Sequence, residues 1–469
     1  MNTVLTPSAD SGSMPRIDHR RTKPLLSGGT IPLGWLLLSL GFGACSQSGG
    51  PSDAIGPTPD AGMPDDGGPI PITLEFETEV VEGLGSQALV GDNATAAVGP
   101  EGLAAIAYGF VPAQTAIREV HFAIRTNGIW QTEKVSVPGA RAPSGGDLVG
   151  LGFDFVGGIP HIAYLGGDDD DDPTIDFPSD LVLATNTTGS WVERTLVDVS
   201  TEAPGDCSRY CNQGGVVGSH PHLRADPDGT GFAVVYRDTH FGFGVDDYAE
   251  SDVEVYVESG NVDSSVVDAE RSGGAFGQIT YLAGGGLAVA YNLEAPQVGE
   301  DRVGIWAAVN RSGTWTRRKV SSAETSARVG LGEAPDGTLY LAFYATDFAD
   351  LVVARSTDDG VTWTTETVDS VGKTGLHPSL AFDALGRVLV AYTYCGTTAD
   401  RDCPGRLGPN AEVRLARLED GAWAIYPVDD GQGFGGVGYF TSVIVDGEGK
   451  IGIAFVDDRN GDLLFSREK

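Results

Sequence analysis

The chain has 469 residues, 67 of them glycine and only three methionine, with 41% hydrophobic residues and a formal net charge of −35. That apolar content supports a packed core and rules out disorder throughout. The acidic surface repels phosphate backbones and anionic lipid alike, which excludes nucleic acid as a partner and disfavours lying flat on a membrane.

The first element in chain order is a leader. Arg20, Arg21 and Lys23 form a basic segment, and residues 31–44 follow as a mostly apolar stretch. A membrane-spanning helix needs about 20 such residues, so this shorter stretch reads as the core of a signal peptide. It ends at Phe42-Gly43-Ala44-Cys45. Small residues before a cysteine resemble the lipobox of bacterial lipoproteins, although leucine or valine is commoner where Phe42 stands. The resemblance implies a signal peptide over residues 1–44, cleavage before Cys45, and acylation of its thiol. The mature protein would then be exported and lipid-anchored to the cell envelope; ordinary secretory cleavage is the alternative. Ser46 after the cysteine favours the outer membrane in the best-known sorting rule. Residues 1–44 hold four basic and two acidic residues, so the mature chain sits near −37. Residues 45–71 comprise the cysteine and a tether rich in Gly, Pro, Ser and Asp. Such a tether holds the body on the order of 30 Å from the membrane.

From residue 72 onward one unit repeats. A glycine leads, six or seven residues later, to an aromatic that ends an apolar run: Tyr108, Tyr164, Tyr236, Tyr291, Phe343, Tyr392 and Phe455. Successive aromatics lie 56, 72, 55, 52, 49 and 63 residues apart. A period near 50 with four short strands per unit is that of a β-propeller blade. We letter the strands A to D in chain order, the repeat aromatic falling on B. An acid and an apolar strand (C) follow each aromatic, except in blade four, where Arg302-Val303 stands. A glycine turn then leads to Trp130, Trp191, Trp315, Trp363 or Trp423 at the start of D. The chain stops after strand C of the seventh unit, so residues 73–80 are expected to supply its missing strand D, with Phe76 near the tryptophan position. Closure of that kind removes an open sheet end. The expected architecture is all-β, one seven-bladed propeller over residues 72–469, with six or eight blades as the alternative.

Ser356, Asp358, Gly360 and Trp363 fit the pattern S-x-D-x-G-x-x-W, the Asp-box or BNR repeat, with degenerate copies before Trp191, Trp315 and Trp423. The chain therefore resembles the sialidase-like, Asp-box propeller superfamily over about residues 73–469. The motif is structural: aspartate accepts turn amides, glycine permits positive φ, and tryptophan packs between sheets. The resemblance implies that these turns face away from the active site. Sialidases use three arginines, the first in Arg-Ile-Pro, with a Tyr–Glu pair and an acid–base Asp. No Arg-Ile-Pro occurs here, and the expected count is seven blades rather than six, so sialidase activity does not follow from the fold.

In a propeller the B–C and D–A connections share the upper face, and here they depart most from the repeat. The blade-two B–C loop carries Asp168, Asp170 and Asp172 within a five-aspartate run. The blade-three loop carries Arg237, Asp238, His240, Asp246 and Asp247. His220, His222 and His377 precede two A strands at the central rim, where metal or acid–base chemistry is an alternative to plain hydrogen bonding. No cofactor is implied with certainty. Calcium is a candidate at Asp168, Asp170 and Asp172, and more faintly at Asp457 and Asp462, where an Asx-capped turn is the competing reading. Cys207 with Cys211 and Cys395 with Cys403 are close in sequence and suit local disulfides outside the cytoplasm, although four cysteines allow three connectivities. The leading functional reading is a non-enzymatic envelope lipoprotein whose upper face binds a protein or a glycan. A glycan-active hydrolase with a carboxylate pair and a structural subunit of a surface complex are the alternatives.

Overall fold

The seven repeat aromatics are the anchor points of the architecture: each is almost wholly buried. The computed structural model describes residues 74–469 apart from 84–88, 113–117, 138–149, 167–179, 199–215, 240–250, 270–272, 275, 294–301, 324, 326–327, 398–409 and 432–435. The described strands form seven four-stranded antiparallel sheets in which chain neighbours pair, apart from the closing strand. The protein is a seven-bladed β-propeller. The innermost strands A are Leu89–Val98, Leu151–Val156, Val216–Ala225, Gln278–Tyr281, Gly330–Glu333, Thr374–Phe382 and Val437–Val445.

Blade seven closes as its sequence requires. Its strands Val437–Val445, Ile451–Asp457 and Asp462–Glu468 are completed by Phe76–Glu82, in register from Phe76 opposite Glu468 to Glu82 opposite Leu463. This strand starts three residues later than expected and runs on past a bulge between Val80 and Glu82. The bulge swings Glu82 toward blade one, where it accepts a hydrogen bond from Tyr108 at 2.6 Å. Glu79 likewise accepts from Arg125 at 2.6 Å and from the Trp130 indole at 2.9 Å, both in blade one.

The core is distributed as wedges between adjacent blades. One cluster joins Tyr108 and Ile106 of blade one to Phe465 and Ala454 of blade seven. Another joins Phe122 of blade one to Phe153 and Tyr164 of blade two, and comparable clusters fill the remaining junctions. Burial of such side chains, each about 1.5–3 kcal/mol, fixes the spacing of the strands around the axis.

The Ser356–Trp363 turn joins strand C (Asp350–Ser356) to strand D (Thr364–Asp369) of blade five, on the face opposite the B–C connections. Asp358 accepts from the Thr362 amide at 2.8 Å and its hydroxyl at 2.7 Å, Gly360 has φ +76°, and the Trp363 indole donates to the Gly360 carbonyl at 3.1 Å. Trp363 packs on the cluster between blades four and five.

Candidate ligand-binding centre on the propeller axis

Each strand A pairs with strand B in a frame set by the repeat aromatic. The residue before that aromatic lies opposite Thr95, Gly152, His222, Gln278, Gly330, Ser379 or Ser442 in blades one to seven. Two residues upstream of these sit Asn93, Gly150, His220, Phe276, Arg328, His377 and Phe440. All except Arg328 have positive φ, between +49° and +90°. In blades one, three, six and seven the ladder slips here, three residues on strand A facing two on strand B. A bulge of this kind re-aims side chains. Left-handed backbone costs a non-glycine residue about 1–2 kcal/mol, so five such residues at one level are a concentrated strain at the upper end of the axis.

The two histidine motifs lie within strands A rather than before them, because the bulge extends the strand past the Pro221 and Pro378 positions. The His220 ring stands 4.4 Å from Phe276 of blade four, and the His377 ring 5.0 Å from Tyr439 and 5.1 Å from Phe440 of blade seven. In both, Nδ1 is buried without a hydrogen-bond partner among the described residues. Burial, reinforced by Arg237 and Arg328 at His220 and by Arg328 at His377, lowers each pKa to about 3. Both rings are therefore neutral at physiological pH. They belong to different blades, at equivalent positions around the axis.

Arg328 supplies the positive charge of this ring. It lies just before strand A of blade five and donates to the carbonyls of Ala94 at 3.0 Å and Asn93 at 3.4 Å in blade one. Blades five and one are not neighbours, so the guanidinium reaches across the axis. Burial pulls its pKa down to about 10, opposed by Asp92. Asp92 itself is engaged by Arg118 and by the Asn93 side chain.

Below this ring, side chains stitch each inner strand to the next. Thr95 donates to the Leu151 carbonyl at 3.0 Å. His222 Nδ1 accepts from the Ile279 amide at 3.1 Å, Ser379 from Val443 at 2.9 Å, and Ser442 from Ala96 at 2.9 Å. These strands line an axial cavity of about 280 Å³.

The other residues singled out from sequence fall as follows. Arg237 and Asp238 lie in strand B of blade three (Phe232–Thr239), paired with Val253 and Asp252, and are buried. They are strand residues rather than loop residues: both stay in the ladder with the neighbouring strand Ser251–Ser259, and Arg237 Nε donates to the Ser251 hydroxyl oxygen at 2.8 Å. His240, Asp246, Asp247, Asp168, Asp170, Asp172, Cys45, Cys207, Cys211 and Cys403 lie outside the described residues. Cys395 is buried with Tyr344, Leu376 and Ala411. Asp457 faces Asp462 across the final B–C turn and accepts from the amides of Arg459 at 2.9 Å and Asn460 at 3.2 Å, the geometry of an Asx-capped turn. Among the described residues no group of three or more His, Cys, Asp or Glu is arranged to hold a metal ion. Sequence reasoning did not single out Arg328, Ser379, Ser442 or Thr95. Their signal is positional: the upper ring lies 14 to 16 residues before each repeat aromatic.

No family model and no curated protein matches the chain. Among solved structures, it is similar to a protein of unknown function from Dyadobacter fermentans, with 12% identity and a TM-score of 0.48 over 83% of this chain and 97% of that one. It is also similar to the NanB sialidase of Streptococcus pneumoniae, with 10% identity and a TM-score of 0.44 over 83% and 70% of the two chains. A third is the intramolecular trans-sialidase of Ruminococcus gnavus, with 12% identity and a TM-score of 0.43 over 83% and 96%.

Proposed function

We propose that this protein is an exported lipoprotein, anchored through Cys45 to the outer membrane, whose propeller binds a protein or glycan ligand at the centre of its upper face without transforming it. The observation that carries the reading is the strained axial ring. His220 and His377 are held in left-handed backbone with their Nδ1 atoms buried and unpartnered among the described residues. A folded chain retains such cost where the surroundings over-determine it, and such residues cluster at binding sites. In the sequence, the connections expected on the upper face are long and rich in Asp, His and aromatic residues, and loops on a rigid scaffold are where recognition concentrates. Local disulfides, Cys207–Cys211 and Cys395–Cys403, would brace two of those connections, and calcium would bind the Asp168–Asp172 run. The sialidase-like, Asp-box superfamily is the evolutionary setting we assign to the fold.

The test is a glycan array and an envelope-protein pull-down with the mature protein, with and without calcium, beside a panel of glycosidase substrates. Saturable binding lost in a His220→Ala/His377→Ala variant that keeps its fold supports the proposal. Turnover of any glycoside overturns the non-enzymatic reading in favour of a hydrolase.

A further inference from the structure

Beneath the upper ring, the axial cavity is a donor-lined chamber in an otherwise strongly acidic protein. Two guanidinium groups, Arg328 and Arg224, line it against one carboxylate, Asp154. Asp154 is already occupied: it accepts from the amides of Phe155 at 2.8 Å and Ala225 at 3.1 Å, and stands 3.7 Å from Arg224. Arg328 has two carbonyl oxygens as partners and no direct ion pair among the described residues; Asp92, the carboxylate that acts on it through space, is itself engaged by Arg118. A buried charge in that condition is costly unless a counter-ion joins it.

The polar side chains of the wall are oriented by their inter-blade bonds. His222 Nδ1 accepts the Ile279 amide, so the ring's proton resides on Nε2 in its neutral form. Ser379 and Ser442 each use an oxygen lone pair to accept an amide from the next blade. Their hydroxyl protons and the His222 Nε2–H have no protein acceptor among the described residues. Four blades, three, five, six and seven, thus present free donors to one cavity of about 280 Å³.

We propose that this chamber binds a small tetrahedral oxyanion, of the phosphate or sulfate class, with Arg328 as its counter-charge and His222, Ser379 and Ser442 as its donors. Donors arriving from several directions around an axis suit a tetrahedral anion better than a flat carboxylate gripped by one guanidinium fork. The site lies beneath the upper-face centre of the proposed function and shares Arg328 with it, but the two are tested by different readouts.

The experiment titrates the mature protein with inorganic phosphate, sulfate and acetate against chloride at matched ionic strength, following thermal unfolding and calorimetric heat. The expected result is a saturable rise in Tm of about 2–5 °C with phosphate or sulfate. It should be absent in Arg328→Gln, and at least fivefold weaker in apparent Kd in Ser379→Ala. The variants matter because these anions also stabilise proteins unsaturably by exclusion from the surface. Superimposed phosphate and chloride curves overturn the proposal, as does a full saturable rise in Arg328→Gln. If Arg328→Gln does not fold, an unchanged Kd in Ser379→Ala overturns it. Tighter binding of acetate than phosphate overturns the tetrahedral assignment.

Discussion

Ser442 accepts a hydrogen bond from the amide of Ala96 at 2.9 Å, tying the inner strand of blade seven to that of blade one. This is the junction between the first and last blades, and the closing strand Phe76–Glu82 secures its outer edge. The inner and outer ties are separated by the width of a blade, so the ring is clamped at both radii.

Ser442→Ala leaves the Ala96 N–H without its acceptor in a buried site. The expected loss is about 1–3 kcal/mol of unfolding free energy. Ser379→Ala, which orphans the Val443 amide at the junction of blades six and seven, should cost a similar amount. Chemical denaturation of both variants checks this. Equal stability to wild type would mean that the amide finds another acceptor.

Gly150 occupies in blade two the ring position held elsewhere by Asn93, His220, Phe276, His377 and Phe440. Its φ is +90°, and a Cβ placed there would lie 2.5 Å from the His220 Cα. Those other residues show that a side chain is tolerated at the position in general; in blade two the backbone of blade three comes too close. Gly150→Ala should therefore destabilise by about 2 kcal/mol or more, from left-handed strain and overpacking together. It should also shift the aromatic-region NMR signals of His220. A variant as stable as wild type would refute the close approach.

The blade count was legible because one buried aromatic per blade, Tyr108 to Phe455, interrupts a short apolar run at nearly constant distance from a turn glycine. The closing strand was legible because unit seven lacks a fourth strand and Phe76 stands where a tryptophan recurs. The axial centre was not. A bulge inserts a residue and so breaks the phase of the inward/outward alternation, and His220-Pro221-His222 reads as a segment before a strand although it lies inside one. Arg237 and Asp238 read as loop because they are charged, yet both are buried strand residues. Arg328 gave no local sign at all, since its partners, Asn93 and Ala94, lie more than 230 residues away. Only its offset from Phe343, the same 15 residues that separate His377 from Tyr392, marks it.

Tyr291 on strand B of blade four donates to Asp268, on strand D of blade three, at 2.8 Å; Tyr392 of blade six repeats the contact with Asp369 of blade five at 2.8 Å. These phenols latch successive blades, and burial beside a carboxylate holds their pKa well above the ordinary range. Phe343 and Phe455 fill the same position in blades five and seven, so Tyr291→Phe changes a hydrogen bond and little else. A loss of about 1.5–3 kcal/mol, the range for a bond to a charged acceptor, is expected in denaturant titration. Tyr392→Phe should cost a similar amount, because each carboxylate keeps other donors: Arg302 and Arg317 at Asp268, and Thr374 and Arg414 at Asp369.

His220 and His377 give the fold a defined sensitivity to acid. Their folded pKa values, about 3, lie below the ordinary histidine value of 6.5. Above pH 6.5 both states carry neutral rings and nothing is lost. As pH falls below 6.5 the unfolded chain takes up protons that the folded chain refuses, so stability declines toward pH 3. The developed slope is about 1.4 kcal/mol per pH unit for each histidine. Arg237 and Arg328, the charges that face these rings, keep their charge throughout this range and do not reverse the sign. Phe276 and Phe440 show that phenylalanine accepts the left-handed backbone of this ring. A His220→Phe/His377→Phe variant should therefore fold, and between pH 5.5 and 4.5 its stability should fall less steeply than wild type by about 2.7 kcal/mol per unit. Carboxylates titrate alike in both proteins and cancel in the comparison. Parallel stability–pH curves for the two would show that these histidines are protonated in the folded state, and hence that the axial ring is open to water.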